Sequence, residues 1–454
     1  MKTIFRVLLM AISLSIFAQS PVAPIADGER IVFFGDSITH GGRYIYYLQL
    51  FQELRHPGSN ARLLNAGVSG DSAGGALSRW AWDPKPMNGD RYFVMFGMND
   101  VGRDAYSTTE PTEKDAKRRQ DCFDSHVRNM RKLTGLIQEM GRPVVLMTTT
   151  PYDQYSDQPG ENLVSCNEPG LANIAQAARD LAAERDFGLV EFHKPCTAIL
   201  KAHPELHLCG GDRIHPKEIG HLVMASLILQ SMGEKGFVAA VTLDAAGKKV
   251  TRNANAYVKN LKFQNDGLSF TYEPKALPFP LLPEYLEADR LLDISAILNQ
   301  EILTVKGLEA GKYILKANDV TLGTFSADDF AQGVNLALRD TPSQKIAQEA
   351  GKVMYKLQGK DSTLRQLPFM EMYINWEGGN VEDEQNSYDT LDKWVEKLVR
   401  EKNPYLDYFR SCAEDYKKLR PQLPKLQAEV EDVRRELAAF RPAPFEIELT
   451  RTAK

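Results

Sequence analysis

A short apolar run near the N-terminus constrains the fold of this chain most. Residues 31–34 are Ile, Val, Phe and Phe, all β-branched or aromatic, and they lead directly into Gly35-Asp36-Ser37. Such a run indicates a strand buried on both faces, as in a parallel sheet covered by helices. Open α/β sheets bind their ligands at the carboxyl ends of the strands. Ser37 therefore stands where a nucleophile is expected, although Ser and Asp are also common helix N-caps.

Strand and helix patterns alternate up to about residue 233, which predicts a parallel sheet with helices on both faces. The predicted strands are Ile31–Phe34, Arg62–Leu64, Tyr92–Phe96, Val144–Thr148 and Leu189–Phe192. The predicted helices are Asp121–Met140, Leu171–Arg185 and Lys217–Gln230. We expect this part, residues 26–234, to form one domain.

The second half, residues 235–454, is expected to be a β-rich accessory module with helices. Its predicted strands are Phe237–Leu243, Leu268–Tyr272, Glu301–Val305, Lys312–Ala317, Val320–Phe325 and a last strand at Phe445–Thr450. Asn318-Asp319 predicts a hairpin turn, and helical patches are expected near Leu286–Asn299 and Thr341–Leu357. From about 388 to 440, apolar residues three and four apart predict a helical hairpin packed on the protein, with an oligomer seam as the alternative.

The first 20 residues predict a cleavable signal peptide. Lys2 and Arg6 precede an apolar run that is too short to span a membrane, and small residues follow it. We therefore expect a periplasmic or secreted protein whose five cysteines can form disulfides. Cys196–Cys209 closes the shortest loop and is the preferred pair, with free buried thiols throughout as the alternative. The net charge of −5 argues against a nucleic-acid partner, and no later stretch predicts a membrane span.

Polar segments follow the other predicted strands and are expected to meet at the same edge of the sheet. Gly70 lies in a small, polar segment after the second strand, and Gly97-Met98-Asn99-Asp100 follows the third. Asp212-Arg213-Ile214-His215-Pro216 lies before the last helix of this half. Each segment follows a strand or precedes a helix, so all of them can face one crevice.

These residue types suit acyl transfer. Ser37 needs a base to accept its proton, and His215 is the candidate. Asp212, three residues away, is suited to fix the imidazole tautomer and to stabilise the imidazolium. The backbone amides of Ser37 and Gly70 and the side-chain amide of Asn99 are the expected donors to the oxyanion.

The SGNH (GDSL-type) hydrolases have signature blocks that this chain resembles, in order, at Gly35-Asp36-Ser37, Gly70, Gly97-Met98-Asn99-Asp100 and Asp212-Arg213-Ile214-His215-Pro216. The resemblance covers the first half and stops near residue 235. Ile38 replaces the leucine of the family name, at a position that touches no reacting atom. The resemblance implies a flavodoxin-like three-layer α/β domain, the same catalytic triad and oxyanion donors, and no cofactor or metal.

Other interpretations are weaker. Thr39 stands two residues after Ser37, so the Gly-x-Ser-x-Gly elbow of the α/β-hydrolases is absent. Potential metal ligands cluster at His193, Cys196, His203, His207 and Cys209, but no His-Glu-x-x-His motif is present. We expect these five to be structural or surface residues, and Trp80 and Trp82 to be core residues rather than a sugar platform.

The sequence therefore predicts an exported serine esterase that removes short acyl, above all acetyl, groups from carbohydrates. The loops expected to rim the crevice are polar and aromatic rather than apolar: Trp80–Asp90, Arg103–Lys114 and Pro151–Asn167, with Tyr152, Asp153, Tyr155 and Asn162. A lipolytic esterase or lysophospholipase is the alternative enzyme. A carbohydrate-binding or scaffold protein with a non-productive triad is the alternative from another class.

Overall fold

Five parallel strands form the centre of the first half of the chain. The computed structural model describes residues 21–452 except 161, 287, 288, 290 and 291, so the predicted signal peptide lies outside the described residues. The sheet has the order β2-β1-β3-β4-β5, which is the flavodoxin-like order. Its strands are β1 (Arg30–Gly35), β2 (Arg62–Gly67), β3 (Arg91–Met95), β4 (Val144–Met147) and β5 (Gly188–Val190). The predicted fold class is confirmed.

Seven α-helices accompany this sheet in the described residues. They are α1 (Ser37–Gly41), α2 (Arg43–Arg55), α3 (Ala73–Arg79), α4 (Glu113–Glu139), α5 (Ala172–Arg185), α6 (His193–Ala202) and α7 (Glu218–Ser231). Helix α4 begins eight residues before its predicted start because Thr112 and Asp115 form a capping box.

The strand register brings the three site segments to one edge. Gly35 of β1 lies beside Gly67 of β2 and Met95 of β3, so the chain leaves all three strands at the same level. The backbone of α1 crosses β2 closely. A Cβ on Gly67 would lie 2.1 Å from the backbone nitrogen of His40, so only glycine fits there.

Two sheets follow and share one apolar core. One has the order β13-β10-β6-β7 and the other β12-β11-β14-β9-β8. The elements, in chain order, are β6 (Phe237–Asp244), β7 (Lys249–Ala254), β8 (Ala256–Gln264), β9 (Gly267–Pro274), α8 (Ile294–Leu298), β10 (Gln300–Lys306), β11 (Lys312–Ala317), β12 (Val320–Ser326), α9 (Ala327–Gln332) and β13 (Val334–Asn335). The hairpin predicted at Asn318-Asp319 joins β11 to β12.

Four helices and a strand complete the chain: α10 (Pro342–Trp376), α11 (Glu384–Arg400), α12 (Leu406–Leu419), α13 (Leu423–Ala438) and β14 (Phe445–Arg451). Three helices thus occupy the region predicted as a hairpin, and α10 extends 19 residues beyond the predicted helical patch at Thr341–Leu357. Strand β14 pairs with β9 and β11, inside the sheet.

The late helices pack on the α/β half. Side chains of α10 and α13, among them Met354 and Val433, share a buried core with α2 and α7. The repeated apolar positions Val430, Val433 and Leu437 are at most 5 % exposed within this chain. They are therefore not available as an oligomer seam.

All five cysteines are free thiols, so the preferred Cys196–Cys209 disulfide is wrong in this structure. Both sulfurs lie in the buried interior, which is a usual environment for a free thiol. No helix between residues 21 and 452, as far as the chain is described, is both long and apolar enough to cross a membrane.

Candidate active site

Three of the predicted site residues form a hydrogen-bonded chain. The Ser37 Oγ lies 2.7 Å from His215 Nε2, and His215 Nδ1 lies 2.5 Å from Asp212 Oδ2. With Nδ1 protonated, His215 donates to Asp212 and accepts from the Ser37 hydroxyl, which is the arrangement of a serine nucleophile with its base. The side chains of His215 and Asp212 are each 47 % exposed. A substrate can therefore reach the serine.

The turn between β1 and α1 presents Ser37. Asp36 caps α1 because its Oδ1 accepts a hydrogen bond from the Ile38 amide at 3.0 Å. Gly42 ends the helix in the left-handed conformation, with φ +54°. Ser37 is the first residue of this five-residue helix, so its amide and hydroxyl both lie at the edge of the sheet.

The loop that carries Asp212 and His215 is held by Arg213. This side chain is 3 % exposed, and its Nη1 donates to the carbonyls of Asp153 and Ser156 at 2.9 and 3.1 Å. Asp212 also accepts hydrogen bonds from the amides of Ile214 and His215. Partial burial raises the pKa of Asp212, but the bonds from His215 and these amides outweigh it and keep the pKa below its usual value. The carboxylate is thus charged when it orients His215.

Gly70 lies in the segment of residues 67–71, named here the oxyanion loop. Its φ is +75°, a conformation that glycine adopts without strain. In the part of the chain that the structure describes, no backbone carbonyl accepts from the Gly70 amide. This N–H remains available to a substrate oxygen.

Both polar atoms of the Asn99 side-chain amide are hydrogen-bonded within the protein. Its Nδ2 donates to the Asp71 carbonyl at 2.7 Å, and its Oδ1 accepts from Arg103 Nη1 at 2.9 Å. These two bonds set the orientation of the amide, and the second N–H of Nδ2 remains free for an oxyanion. The predicted donors Ser37, Gly70 and Asn99 thus all follow strands that end at one edge of the sheet.

Buried charges lie beneath this edge. Arg79 donates to Asp71 Oδ2 at 2.7 Å, to Asp83 Oδ2 at 2.5 Å and to the Gly35 carbonyl at 3.0 Å. Burial raises the pKa of Asp71 to about 6, although Arg79 lowers it. Burial raises the pKa of Asp36 to about 7, because one amide hydrogen bond does not offset the loss of water.

The histidines and cysteines considered as metal ligands do not converge. His193 pairs with Asn167 at 3.0 Å, His203 with Glu205 at 3.3 Å and His207 with Asp157 at 2.9 Å. Cys196 and Cys209 are buried thiols. Among the residues described, no three His, Cys, Asp or Glu side chains are grouped as a metal site would require.

The loop 151–167 differs from its predicted role. Tyr152 and Asp153 are buried, at 3 % and 0 % exposure. Asp153 accepts from the amides of Tyr155 and Ser156, and Asn162 donates to the Gln154 carbonyl. These side chains hold the loop rather than line a crevice, because the loop must satisfy its own buried backbone groups.

Trp80 and Trp82 pack inside the protein, as predicted for core residues. Trp80 is 5 % exposed and packs on Phe34 and Tyr92. Trp82 is partly buried against the core of α10–α12.

The sequence model of the GDSL-like Lipase/Acylhydrolase family matches residues 33–223, a span that contains the Ser37–His215–Asp212 chain, Gly70 and Asn99. This span belongs to the SGNH hydrolase superfamily. The chain is a carboxylic ester hydrolase, a class supported by the acylhydrolase family model and by the acetylxylan esterase described below.

Two relatives illustrate the similarity. An acetylxylan esterase of Geobacillus stearothermophilus is 24 % identical over 224 residues, which are 46 % of this chain and 96 % of the relative. The solved structure of a gut microbial diltiazem-metabolizing enzyme is 26 % identical, covers 95 % of this chain and 99 % of its own, and has a TM-score of 0.83. The second similarity extends to the late helices of this SGNH hydrolase and to the two sheets of its second half, named here the β sandwich.

Four residues hold the site from behind and had no predicted role: His40, Arg79, Arg213 and Arg365. No local pattern pointed to these roles. Helix α10, which carries Arg365, packs on α2, in which 12 of 13 residues are buried.

Proposed function

We propose that this SGNH hydrolase is an exported serine esterase that removes short acyl groups, acetyl above all, from carbohydrates through an acyl-serine intermediate. The observation that carries the proposal is the hydrogen-bonded chain from Ser37 through His215 to Asp212, beside three available amide donors. No other part of the described chain combines a serine, a base and an orienting carboxylate at a sheet edge.

In the acylation step, the Ser37 oxygen attacks the ester carbonyl while its proton passes to His215 Nε2. The negative oxygen of the tetrahedral intermediate accepts hydrogen bonds from the Ser37 and Gly70 amides and from Asn99. The charged Asp212 stabilises the imidazolium. His215 then gives the proton to the departing alcohol, and Ser37 remains acylated.

In the deacylation step, a water molecule takes the place of the alcohol. His215 accepts a proton from this water as the water attacks the acyl carbonyl, and the same three donors stabilise the second intermediate. The acid departs when the bond to Ser37 breaks and the proton returns to the Ser37 oxygen. His215 starts either step as the general base, because its Nε2 accepts the proton of the attacking oxygen.

The substrate class is supported by the acetylxylan esterase relative and by the partly exposed polar side chains of Ser69, Ser72 and Asn99 at the same sheet edge as Ser37. A lipid chain would require continuous apolar surface, because each buried methylene contributes only about 0.8 kcal/mol. Export is supported by the basic and apolar pattern of residues 1–20. N-terminal sequencing of the protein released by its host checks that part directly.

The decisive experiment is a chain-length series of p-nitrophenyl esters from acetate to octanoate, with acetylated xylan and diltiazem as further substrates. We expect kcat/KM to fall steeply from acetate to butyrate and to be negligible on octanoate, with acetate released from the xylan. Faster turnover of octanoyl or phospholipid esters would instead support a lipolytic esterase. Binding of xylan without turnover of any ester would support a carbohydrate-binding protein.

Two variants test the serine mechanism. Ser37→Ala should retain the circular dichroism spectrum and lose nearly all esterase activity. Asn99→Ala should lower kcat by about 10²–10³-fold, since it removes one oxyanion donor. Gln120→Ala, on the exposed surface of α4, is the matched control and should leave kcat unchanged. If Ser37→Ala keeps most of its kcat/KM, the nucleophile is a different group.

A further inference from the structure

The C-terminal half of the chain reaches the oxyanion loop through one arginine. We propose that Arg365 of α10 is a positioning residue for the esterase reaction and that it holds the Gly70 amide in place. The inference rests on the proposed function, because it assigns a partner to the loop that binds the oxyanion. Helix α10 is then part of the catalytic apparatus rather than of an accessory module.

The buried Arg365 guanidinium makes two pairs of hydrogen bonds, together named here the Arg365 fork. Its Nε and Nη2 donate to the Gly67 carbonyl at 3.2 and 3.0 Å. Its Nη1 and Nη2 donate to the two carboxylate oxygens of Asp83, both at 2.8 Å. The residue is 4 % exposed. A planar guanidinium with this many directed bonds holds its partners more rigidly than a single-point cation does.

Asp83 extends the network to the rest of the site. It is shared with Arg79, which also binds the Asp71 carboxylate and the Gly35 carbonyl. Both arginines lower the pKa of Asp83 and outweigh the effect of its burial, so this carboxylate is charged. The network therefore contacts Gly35, two residues before Ser37, and both ends of the oxyanion loop, Gly67 and Asp71.

A second contact of α10 reaches the middle of the loop. Phe369 lies edge-on to the His40 ring, with centroids 6.1 Å apart, and His40 Nδ1 accepts a hydrogen bond from the Ser69 amide at 3.1 Å. Burial, together with the positive charges of Arg365 and Arg79, lowers the pKa of His40 to about 3. The ring is therefore a neutral acceptor, as this bond requires.

These contacts leave Gly70 little freedom. Arg365 fixes Gly67, His40 fixes Ser69, and Arg79 fixes Asp71, whose carbonyl also binds Asn99. An oxyanion donor acts only if it is oriented before the reaction, and a shift of about 1 Å can cost about 10²-fold in rate. Loss of the Arg365 fork frees the Gly67 carbonyl and allows the amide plane of Gly70 to turn.

The test compares Arg365→Lys and Arg365→Met in the full-length protein, with kcat and KM measured on p-nitrophenyl acetate and Tm by circular dichroism. Lysine keeps the charge beside Asp83 but cannot bond both Asp83 and Gly67 as a fork. We expect kcat to fall about 10-fold with lysine and about 100-fold with methionine, since the oxyanion donor is displaced. KM should change less than about twofold, because the fork touches no ground-state substrate.

Arg55→Lys is the matched control. Arg55 is also buried, at 6 % exposure, and donates to the carbonyls of Gly236 and Leu298 at 2.9 and 3.0 Å. It therefore links the two halves of the chain by the same kind of bond, away from the oxyanion loop. We expect a loss of Tm similar to that of Arg365→Lys with an unchanged kcat.

Three results would overturn the inference. The first is a folded Arg365→Lys variant with the same kcat as the parent enzyme. The second is a loss of kcat in Arg55→Lys equal to that in Arg365→Lys. The third is a rise of KM in the Arg365 variants without a fall of kcat. If both Arg365 variants fail to fold, Phe369→Leu tests the inference instead. We expect its kcat to fall several-fold, and an unchanged kcat would contradict the inference. A parent enzyme inactive on every ester overturns the proposed function as well, whereas an active parent with unaffected variants overturns this inference alone.

Discussion

Asp36 is a carboxylic acid in a buried environment. It precedes Ser37, is 2 % exposed and caps α1. Burial, with smaller contributions from Asp100 and Asp71, outweighs the hydrogen bond from the Ile38 amide and raises the pKa of Asp36 from 3.8 to about 7. The folded protein thus binds this proton more strongly than the unfolded chain does. The stabilisation is complete below pH 3.8 and is lost as the pH rises through about 7.

This sign leads to a prediction for Asp36→Asn. The amide oxygen can still accept from Ile38, but the side chain can no longer ionise. The free energy of unfolding of the variant, relative to the parent, should therefore increase between pH 5 and pH 8. Urea unfolding at both values measures this difference. Burial also raises the pKa of Glu301 to about 7, but its contribution cancels because both proteins contain Glu301. Parallel pH profiles of the two proteins would show that Asp36 is not the titrating group.

Among the elements, β14 connects strands that come from distant parts of the chain. It is the last strand of the chain, yet it lies between β9 and β11 and so joins both halves of its sheet. Its residues alternate, with Phe445, Ile447 and Leu449 buried and Glu446 exposed. The alternation is visible in the sequence, but the central position is not, because pairing partners are set by the whole sheet.

We expect Ile447→Ala to destabilise the β sandwich by about 2–5 kcal/mol, through lost burial and the cavity that remains. Amide hydrogen exchange in β9 and β11 measures the effect locally. Glu446→Ala, on the other face of the same strand, should change exchange by less than about 1 kcal/mol. Equal effects of the two substitutions would mean that the strand acts through its backbone alone.

Helix α10 shows how packing overrides local signals. Gly359 and Pro368 lie within it, and both disfavour a helix interior. The predicted helical patch at Thr341–Leu357 ends before both of them. In the structure, α10 continues because its second half is covered by α11 and α12, with Met370 and Trp394 in one core. Tertiary burial outweighs the local cost.

At the scale of the molecule, the two halves share a core that neither completes alone. The side chains of α2 pack against Ala350 and Met354 of α10 and Val433 of α13. A chain that ends at residue 234 would expose this apolar surface to water. We expect residues 21–234 alone to aggregate or to lack a cooperative melt, whereas the full chain melts cooperatively. A soluble, active fragment with native circular dichroism would contradict this view of the molecule.

The sequence by itself determined the α/β architecture and the places where chemistry is possible. The apolar run of β1 followed by Gly35-Asp36-Ser37, the turn at Asn318-Asp319 and the order of the polar segments up to His215 all depend on neighbouring residues. Local propensity and the common carboxyl edge of a parallel sheet are sufficient to interpret them.

Tertiary structure alone decided which polar residues serve the site and which serve the loops. Tyr152 and Asp153 resembled crevice residues but are buried, because their loop must satisfy its own backbone. Arg365 showed no signal in the sequence because its partner Asp83 is 282 residues away. Pairing over such a distance depends on how α10 packs against α2 and β2, and no local pattern encodes that packing.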